Sequence, residues 1–598
     1  MSQTPSQELQ DSQRKEREHF FGSAKIVAGL TLLSRVLGMF RDMTILWLGA
    51  NWQTEAFQFA FQLPNLFRRL FGEGALSAAF VPVFTEISEK GGPEKARKLL
   101  ANAMGLLAVL LVTLMVLVQA ILLTWLLLSP PGRQDRQFLV MLTSIMLPYM
   151  FFVCMLALAS AAMNCRGHFL YPAFAPIILN LCMIAADGVA TFFWDDSRPA
   201  QLISISASVT LAGVVQLGGV LWLLRRSGMG WLPSLKPIQE GVGKILRLMA
   251  PALVVFGFLQ FSSFFDSSAC LYFSSNQFSG PTFHLLGHEF HRPLAEGSLV
   301  RLTAAQRLYQ LPMGVFAISL GTVVFPLLSR YAHRNDMVNF RDSLNRALRL
   351  ALMEGIATGV GLFVLAEPIL RLIYRHRDFT AADAEQASFI LRMFVMGMWA
   401  YCLYQILARS FYSLKDSKTP LRVTCCFAAI YMITVCCLVW VKPLGAGAFG
   451  LTQTMTFSVN VFVLMYILHR RLGKLGGRKI FISGLRSLAC AGVMAVVLLW
   501  LLAEMTGQPR PMIPGLTWLA QAMNGEFPPI NPDSWISVWP VARHWLTLGT
   551  FSNLAIVCIT VPVGAAAFLL SAWLLRAPEM GELFSGMLEK LRKKKETM

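Results

Sequence analysis

Phe61-Gln62-Leu63-Pro64 lies inside the second long apolar run of this sequence, and Tyr309-Gln310-Leu311-Pro312 lies inside the eighth. The two glutamines are 248 residues apart, and the runs around them end alike, near Phe80-Val81-Pro82 and near Val324-Phe325-Pro326. The turn from Met163 to Pro172 resembles the turn from Phe411 to Pro420, and the two prolines are again 248 residues apart. One such match is within reach of chance. Two at a single offset point to six helices duplicated in parallel orientation, an arrangement suited to a carrier whose halves rock around a site near the bilayer midplane.

The runs themselves set the class. Of 598 residues 55% are hydrophobic and 14% charged, with a mean hydropathy of +0.55, more apolar surface than a water-soluble chain of this size hides. Runs of about 20 apolar residues, enough to cross roughly 30 Å of hydrocarbon, recur from Ser23 to Leu575. Spans of that length are helices rather than barrel strands. The expected fold is therefore an all-α polytopic membrane protein with about 14 transmembrane helices, in two six-helix lobes plus two C-terminal helices. The expected divisions are a polar N-terminal tail over 1–22, a first lobe over 23–228 and a second over 243–470, with an external insertion at 270–302. The last two helices follow over 480–575, interrupted by an external insertion at 504–546, and a basic tail closes the chain over 576–598. The tail around Arg14, Lys15 and Arg17 reads as short and disordered. The first apolar run is too long for a signal peptide and has no small-residue cleavage site behind it, so it is expected to stay as a helix.

A formal charge of +19 raises the question of nucleic acid, but its distribution answers it otherwise. With the N-terminus inside, the connections after even-numbered helices hold Lys90/Lys95/Arg97/Lys98, Arg225/Arg226/Lys236, Arg330/Arg334/Arg341 and Arg470/Arg471/Lys474/Arg478/Lys479. The opposite connections hold far fewer basic residues, as the positive-inside rule requires, and both termini are expected in the cytoplasm. For the terminal Lys590, Arg592, Lys593, Lys594 and Lys595 two readings stand, contact with anionic lipid or a solvated tail.

Charges inside the spans point to the site. Arg35 lies halfway along the first run, and Arg41, Asp42, Glu55, Arg68, Arg69 and Glu73 follow within the first two. A charge at the centre of a lone helix costs about 3 to over 10 kcal/mol, so this group cannot face lipid. Two structural readings compete with a functional one: an Arg35–Asp42 ion pair on one helix face, and arginines 68 and 69 reaching to an interface. Neither absorbs Arg307, whose near neighbours in the eighth run are Gln306 and Gln310 rather than acids. A water-filled cationic cavity accounts for the whole set, and guanidinium groups favour phosphate or diphosphate because their planar donors fork onto oxyanions.

Ser34-Arg35-Val36-Leu37-Gly38, Arg41-Asp42, Glu55-Ala56-Phe57, the run Phe61 to Arg69 and Glu73-Gly74-Ala75 through Pro82 resemble the N-terminal signature of MurJ (MviN) lipid II flippases. Asn164, Pro172 to Pro176, Asn180, Arg307 with Leu311-Pro312, Phe379-Thr380, Asp383, Asp416 and Thr419-Pro420 extend the resemblance, which covers Ser23 to Arg478. It implies the fold of the MOP exporter superfamily and a substrate, the undecaprenyl-diphosphate-linked peptidoglycan precursor lipid II, carried across the bacterial inner membrane. It further implies that Arg35, Arg41, Arg68 and Arg307 meet the diphosphate, with Asp42, Glu55, Arg69 and Gln62 in support. The last two helices would hold the polyprenyl tail. Glu55 stands where the family commonly has Asp, and Gln62 where Lys is frequent. The alternative is a superfamily relative exporting another lipid-linked oligosaccharide or a drug, although a drug exporter would be expected to show an acidic cavity.

Several features imply less. The eleven cysteines lie in or beside apolar runs without a CxxC pair and read as small core residues. In the first insertion His284, His288, Glu289 and His291 have a spacing that would suit a metal on a helix, but Gly287 and Pro293 favour a solvated loop. In the second, Trp518, Trp535 and Trp539, with Trp545 just beyond, fit either the membrane interface or a periplasmic partner. No nucleotide loop or hydrolase motif is present, so a transporter rather than an enzyme is expected. No cofactor or metal is implied, and coupling to the membrane potential or to an ion is expected. The expected partners are lipid II, membrane lipids and cell-wall synthesis proteins.

Overall fold

The computed structural model describes residues 5–229, 233–234, 240–285, 288–441, 444–506, 550–579 and 581. The second insertion's tryptophans and the C-terminal lysine run lie outside them.

Helix α1 spans Pro5–Leu46 without interruption. Its first turns correct the expectation of a disordered tail: the stretch is rich in Gln, Glu, Lys and Arg, which lose little side-chain freedom in a helix. Asn51 then caps α2 (Trp52–Phe67), its side chain accepting from Thr54 N at 2.9 Å. Pro64 inside α2 lacks the N–H that would bond the preceding turn, and a π-helical turn over Arg68–Gly74 follows directly. Helix α3 (Ala75–Leu127) is two helices joined at a kink at Gly92, whose φ of 76° is left-handed and free of strain only in glycine. Helices α4 (Gln134–Cys165), α5 (Leu170–Trp194), α6 (Arg198–Arg226) and α7 (Glu240–Phe273) complete the first compact unit, residues 1–290. Its core runs from Ile45 and Phe57 through Phe84, Met146 and Tyr149 to Val220 and Met249.

The expected loop after α7 is instead a two-stranded hairpin, β1 (Thr282–Leu285) and β2 (His288–His291). Phe283 and Phe290 stack across it at 5.8 Å. Strand geometry removes the helical spacing that would have gathered the three histidines on one face.

The second unit, residues 291–598, repeats the pattern. Helix α8 (Ser298–Pro312) ends at Pro312, a π-helical turn covers Met313–Ala317, and α9 (Ile318–His333) continues. Helix α10 (Met337–Tyr374) precedes a bent span, α11 (Ala381–Val395) and α12 (Met398–Ser413), angled by 45°. The bend is gripped by α10: a Cβ on Gly355 would sit 2.7 Å from Trp399 Cα, and one on Gly359 2.9 Å from Val395 O, so two glycines four apart let the backbones touch. Helices α13 (Lys418–Leu438) and α14 (Gly447–Leu472) finish the repeat. The last pair, α15 (Gly477–Thr506) and α16 (Thr550–Leu574), packs on α10 through Met353, Leu365, Met494, Leu498, Ile556 and Phe568.

Shifted by 248, α2, α5 and α6 fall on α8, α13 and α14, and α4 falls on the bent pair α11–α12. Compactness divides the chain one helix later than the sequence repeat does, because α7 packs on α2 and α3. Among the described residues ten helices are long and apolar enough to cross a membrane, eleven with the bent pair counted as one span. Helices α1, α2 and α7 occupy the three remaining places of the fourteen-helix expectation, and α1 and α2 are the ones that carry Arg35, Arg41, Asp42 and Glu55.

Candidate functional site

The charges of the first unit are organised around Arg41. Its Nε and Nη2 donate to Asp42 Oδ1 at 3.0 and 2.6 Å, its Nη1 donates to Asn180 Oδ1 at 3.0 Å, and its guanidinium lies 5.4 Å from the centre of the Phe61 ring. Asn180, on α5, in turn donates to Ser34 O at 3.0 Å, tying α5 to α1. One guanidinium is thus fixed by an acid, an amide and an aromatic face contributed by α1, α2 and α5. The side chains of Arg41 and Asp42 keep 12% and 16% exposure, so the charge is held but not sealed off.

Asp42 therefore pairs with Arg41 and not, as the heptad spacing allowed, with Arg35. Arg35 is exposed and has no hydrogen-bond or ion-pair partner among the described residues. Further along, the π-helical turn presents Arg68 and Arg69, both half-buried: Arg68 Nε donates to Asn65 Oδ1 at 3.2 Å and Arg69 Nη1 to Gln260 Oε1 at 3.3 Å. Gln62 reaches α7 as well, its Nε2 donating to Ser263 O at 2.7 Å. Glu55 is 1% exposed in the first turn of α2. A carboxylate so buried and so near a helix N-terminus gains from the helix dipole.

In the second unit Arg307 and Gln310 lie exposed on one face of α8, three residues apart. The opposite face is packed: Tyr309 stacks on Phe394 at 4.8 Å, and its hydroxyl accepts from Gln453 Nε2 at 3.0 Å. Arg301, one end of the same helix, donates through Nε to Asp383 Oδ1 at 2.9 Å. Asp383 also closes a capping box with Thr380 at the start of α11, which fixes α8 to α11.

Two sets of polar residues were not singled out by charge reading. Asn180 was visible as an amide in an apolar run, yet its role in holding Arg41 needs the packing of α1 on α5. Glu367 pairs with Arg371 at 2.7 Å and lies 3.9 Å from Arg392, all nearly buried. The four-residue spacing of Glu367 and Arg371 was the available signal.

Known proteins share both the sequence and the fold of this chain. The family model described as lipid II flippase MurJ matches residues 46–514, so Arg35, Arg41 and Asp42 precede its match. A probable lipid II flippase MurJ of Vibrio cholerae is 32% identical over 557 residues, covering 90% of this chain and 95% of that protein. Its Haemophilus influenzae counterpart is 30% identical over 414 residues, 66% of this chain and 76% of that one. Among solved structures, a lipid II flippase MurJ in an inward closed conformation superposes with a TM-score of 0.66 at 22% identity, covering 92% of this chain and 98% of that one. An inward-facing multidrug resistance MATE transporter of the MOP superfamily gives 0.59 at 13% identity, over 76% of this chain and 98% of that one. The fold is the one these two solved structures share, and the chain belongs to the lipid II flippase MurJ family.

Proposed function

We propose that this protein moves the undecaprenyl-diphosphate-linked peptidoglycan precursor from the cytoplasmic to the outer leaflet of the bacterial inner membrane by alternating access, with both its termini in the cytoplasm. The diphosphate is met by Arg35, Arg41, Arg68 and Arg307, with Asp42, Glu55, Arg69 and Gln62 orienting or releasing the guanidinium groups. The observation that carries the reading is the contrast in α1. Arg41 is locked by Asp42, Asn180 and Phe61, while Arg35, about 9 Å away along the helix, keeps an open guanidinium. An uncompensated cation in a membrane helix is a persistent cost that binding an oxyanion removes.

The membrane potential supplies the direction. Two negative charges carried outward across an inside-negative potential gain about 4.6 kcal/mol per 100 mV, from roughly 2.3 per charge. The empty cationic site is drawn the other way, which resets the carrier without nucleotide hydrolysis.

Replacing Arg35 or Arg307 by Ala is expected to abolish appearance of outer-leaflet lipid II in cells depleted of their own flippase, at unchanged membrane abundance. Lys should rescue only in part, because it lacks the bidentate fork. Parental flipping by both Ala variants would remove these arginines from the site.

A further inference from the structure

The second unit contains a cavity of about 560 Å³ that has no part in the site above. It lies where the start of α10, the start of α15 and the segment after α16 meet, the end that the charge bias assigns to the cytoplasm.

Its base is fixed by hydrogen bonds between all three segments. The Glu579 carboxylate, 2% exposed, accepts from Arg349 Nη1 and from Ser483 Oγ, each at 2.8 Å. Asn345 Nδ2 donates to Leu475 O at 2.7 Å, which pins the turn between α14 and α15 to α10. The rim differs from the base. Arg346, Lys479 and Arg486 line it, all exposed and all without a hydrogen-bond or ion-pair partner among the described residues. Three open cations thus surround a floor whose own charges are already matched. A single exposed carboxylate, Asp342, stands beside them.

The surroundings identify the occupant. Ile482 also lines the cavity, and beyond it α15 shows Phe481 at 73%, Leu485 at 60% and Leu488 at 56% exposure, an apolar surface leading away along the helix. A ligand with a phosphate and a hydrocarbon chain fits both parts, the phosphate among the cations and the chain on α15. Asp342 adds an acceptor suited to a headgroup hydroxyl. Basic pockets between membrane helices on the cytoplasmic side are the usual seats of anionic headgroups.

We propose that this cavity binds the headgroup of an anionic phospholipid of the phosphatidylglycerol type, its phosphate held by Arg346, Lys479 and Arg486 and its glycerol hydroxyls by Asp342. The site is independent of the flipping reaction, and its failure would leave that reading untouched.

The test is lipid retention by the full chain in detergent, read by native mass spectrometry with dioleoyl phosphatidylglycerol and phosphatidylethanolamine in competition. The parent protein should prefer the glycerol lipid. The triple variant Arg346→Gln, Lys479→Gln, Arg486→Gln should lose about a hundredfold of that preference, each cation near an anionic headgroup contributing about fivefold. The variant Lys474→Gln, Arg478→Gln, which removes neighbouring charges that do not line the cavity, should retain it. Equal binding of both lipids by the parent, or a preference that the triple variant keeps, overturns the proposal. So does displacement of the glycerol lipid by millimolar inorganic phosphate, which would make this a free-anion site, or by undecaprenyl diphosphate in preference to it, which would make it a substrate site.

Discussion

Asn180 offers the sharpest test of how the first unit presents its charge. Its carbonyl accepts from Arg41 at 3.0 Å, and its amide donates to Ser34 O at the same distance. In Asn180→Ala both bonds vanish while the Arg41 charge remains. A hydrogen bond to a charged group contributes about 1.5–3 kcal/mol. Asp42 and Phe61 still hold the guanidinium, which places the expected loss near the lower end, and about 1.4 kcal/mol is a factor of ten. Flipping of lipid II should therefore fall about tenfold in flippase-depleted cells at unchanged membrane abundance. Repeating the substitution in an Arg41→Lys background separates positioning from general damage. Lysine has no planar fork for Asn180 to orient, so the second loss should be much smaller than the first. If Asn180→Ala costs the same in both backgrounds, the amide does not act through Arg41.

Three further outcomes follow from other parts of the molecule. Glu367→Gln leaves the Arg371 side chain, 0% exposed, without its carboxylate, and should destabilise the protein by about 3 kcal/mol or more, read as a fall in melting temperature. Replacing Glu367 and Arg371 together by Gln and Met should restore part of that loss, because the buried Arg371 charge is then gone as well and only Arg392, 3.9 Å away, has lost Glu367. At the turn before α13, burial resists ionisation of Asp416, but hydrogen bonds from Thr419 and the Arg471 guanidinium outweigh it and hold its pKa at about 2. Since that lies below the unfolded value, its contribution is complete at neutral pH and is lost as pH falls from about 4 to about 2; amide exchange at Thr419 should accelerate across that window in the parent and not in Asp416→Asn. Finally, single cysteines at positions 95 and 474 should react only with reagents that enter the cytoplasm, and one at position 285 with impermeant reagent outside. Any reversal would break the helix count.

Much of the fold was legible because its signals are long or repeated. Spans of twenty apolar residues and a fixed offset of 248 survive errors of several residues at any boundary, and the helices fall on those places. Signals that depend on which neighbour a side chain finds were less legible. Heptad spacing offered Arg35 as the partner of Asp42, but Arg41, one residue away, takes that role, freeing Arg35. Similarly, histidines at positions 284, 288 and 291 suggested a helical face or a loop, whereas cross-strand stacking of Phe283 on Phe290 makes a hairpin. The N-terminal tail was misread because a polar composition serves equally for disorder and for a surface helix. Asn180 illustrates the remaining gap: an isolated amide in an apolar run signals a polar task, but only the packing of α5 on α1 shows that the task is to hold an arginine.

The repeat also shows which parts of the site duplication could not supply. Pro64 and Pro312 occupy equivalent places, and each is followed by a π-helical turn, because a missing N–H disrupts the helical ladder in the same way whatever side chains surround it. The side chains borne by those shared backbones have diverged. Arg68 and Arg69 correspond to Phe316 and Ala317, Glu55 corresponds to Thr303, and Arg307 corresponds to Phe59, which packs at 5.5 Å on Phe264. A cation in one unit thus stands where the other has an apolar or small residue. A site built from two equal halves would present matched charges and favour a symmetric ligand. Of the residues proposed for the diphosphate site, the first unit carries most of the cations, both acids and the locked guanidinium, and the second carries Arg307, with Gln310 on the same helix face. The duplication therefore reveals the scaffold, while the residues proposed for the site are read from the departures from it.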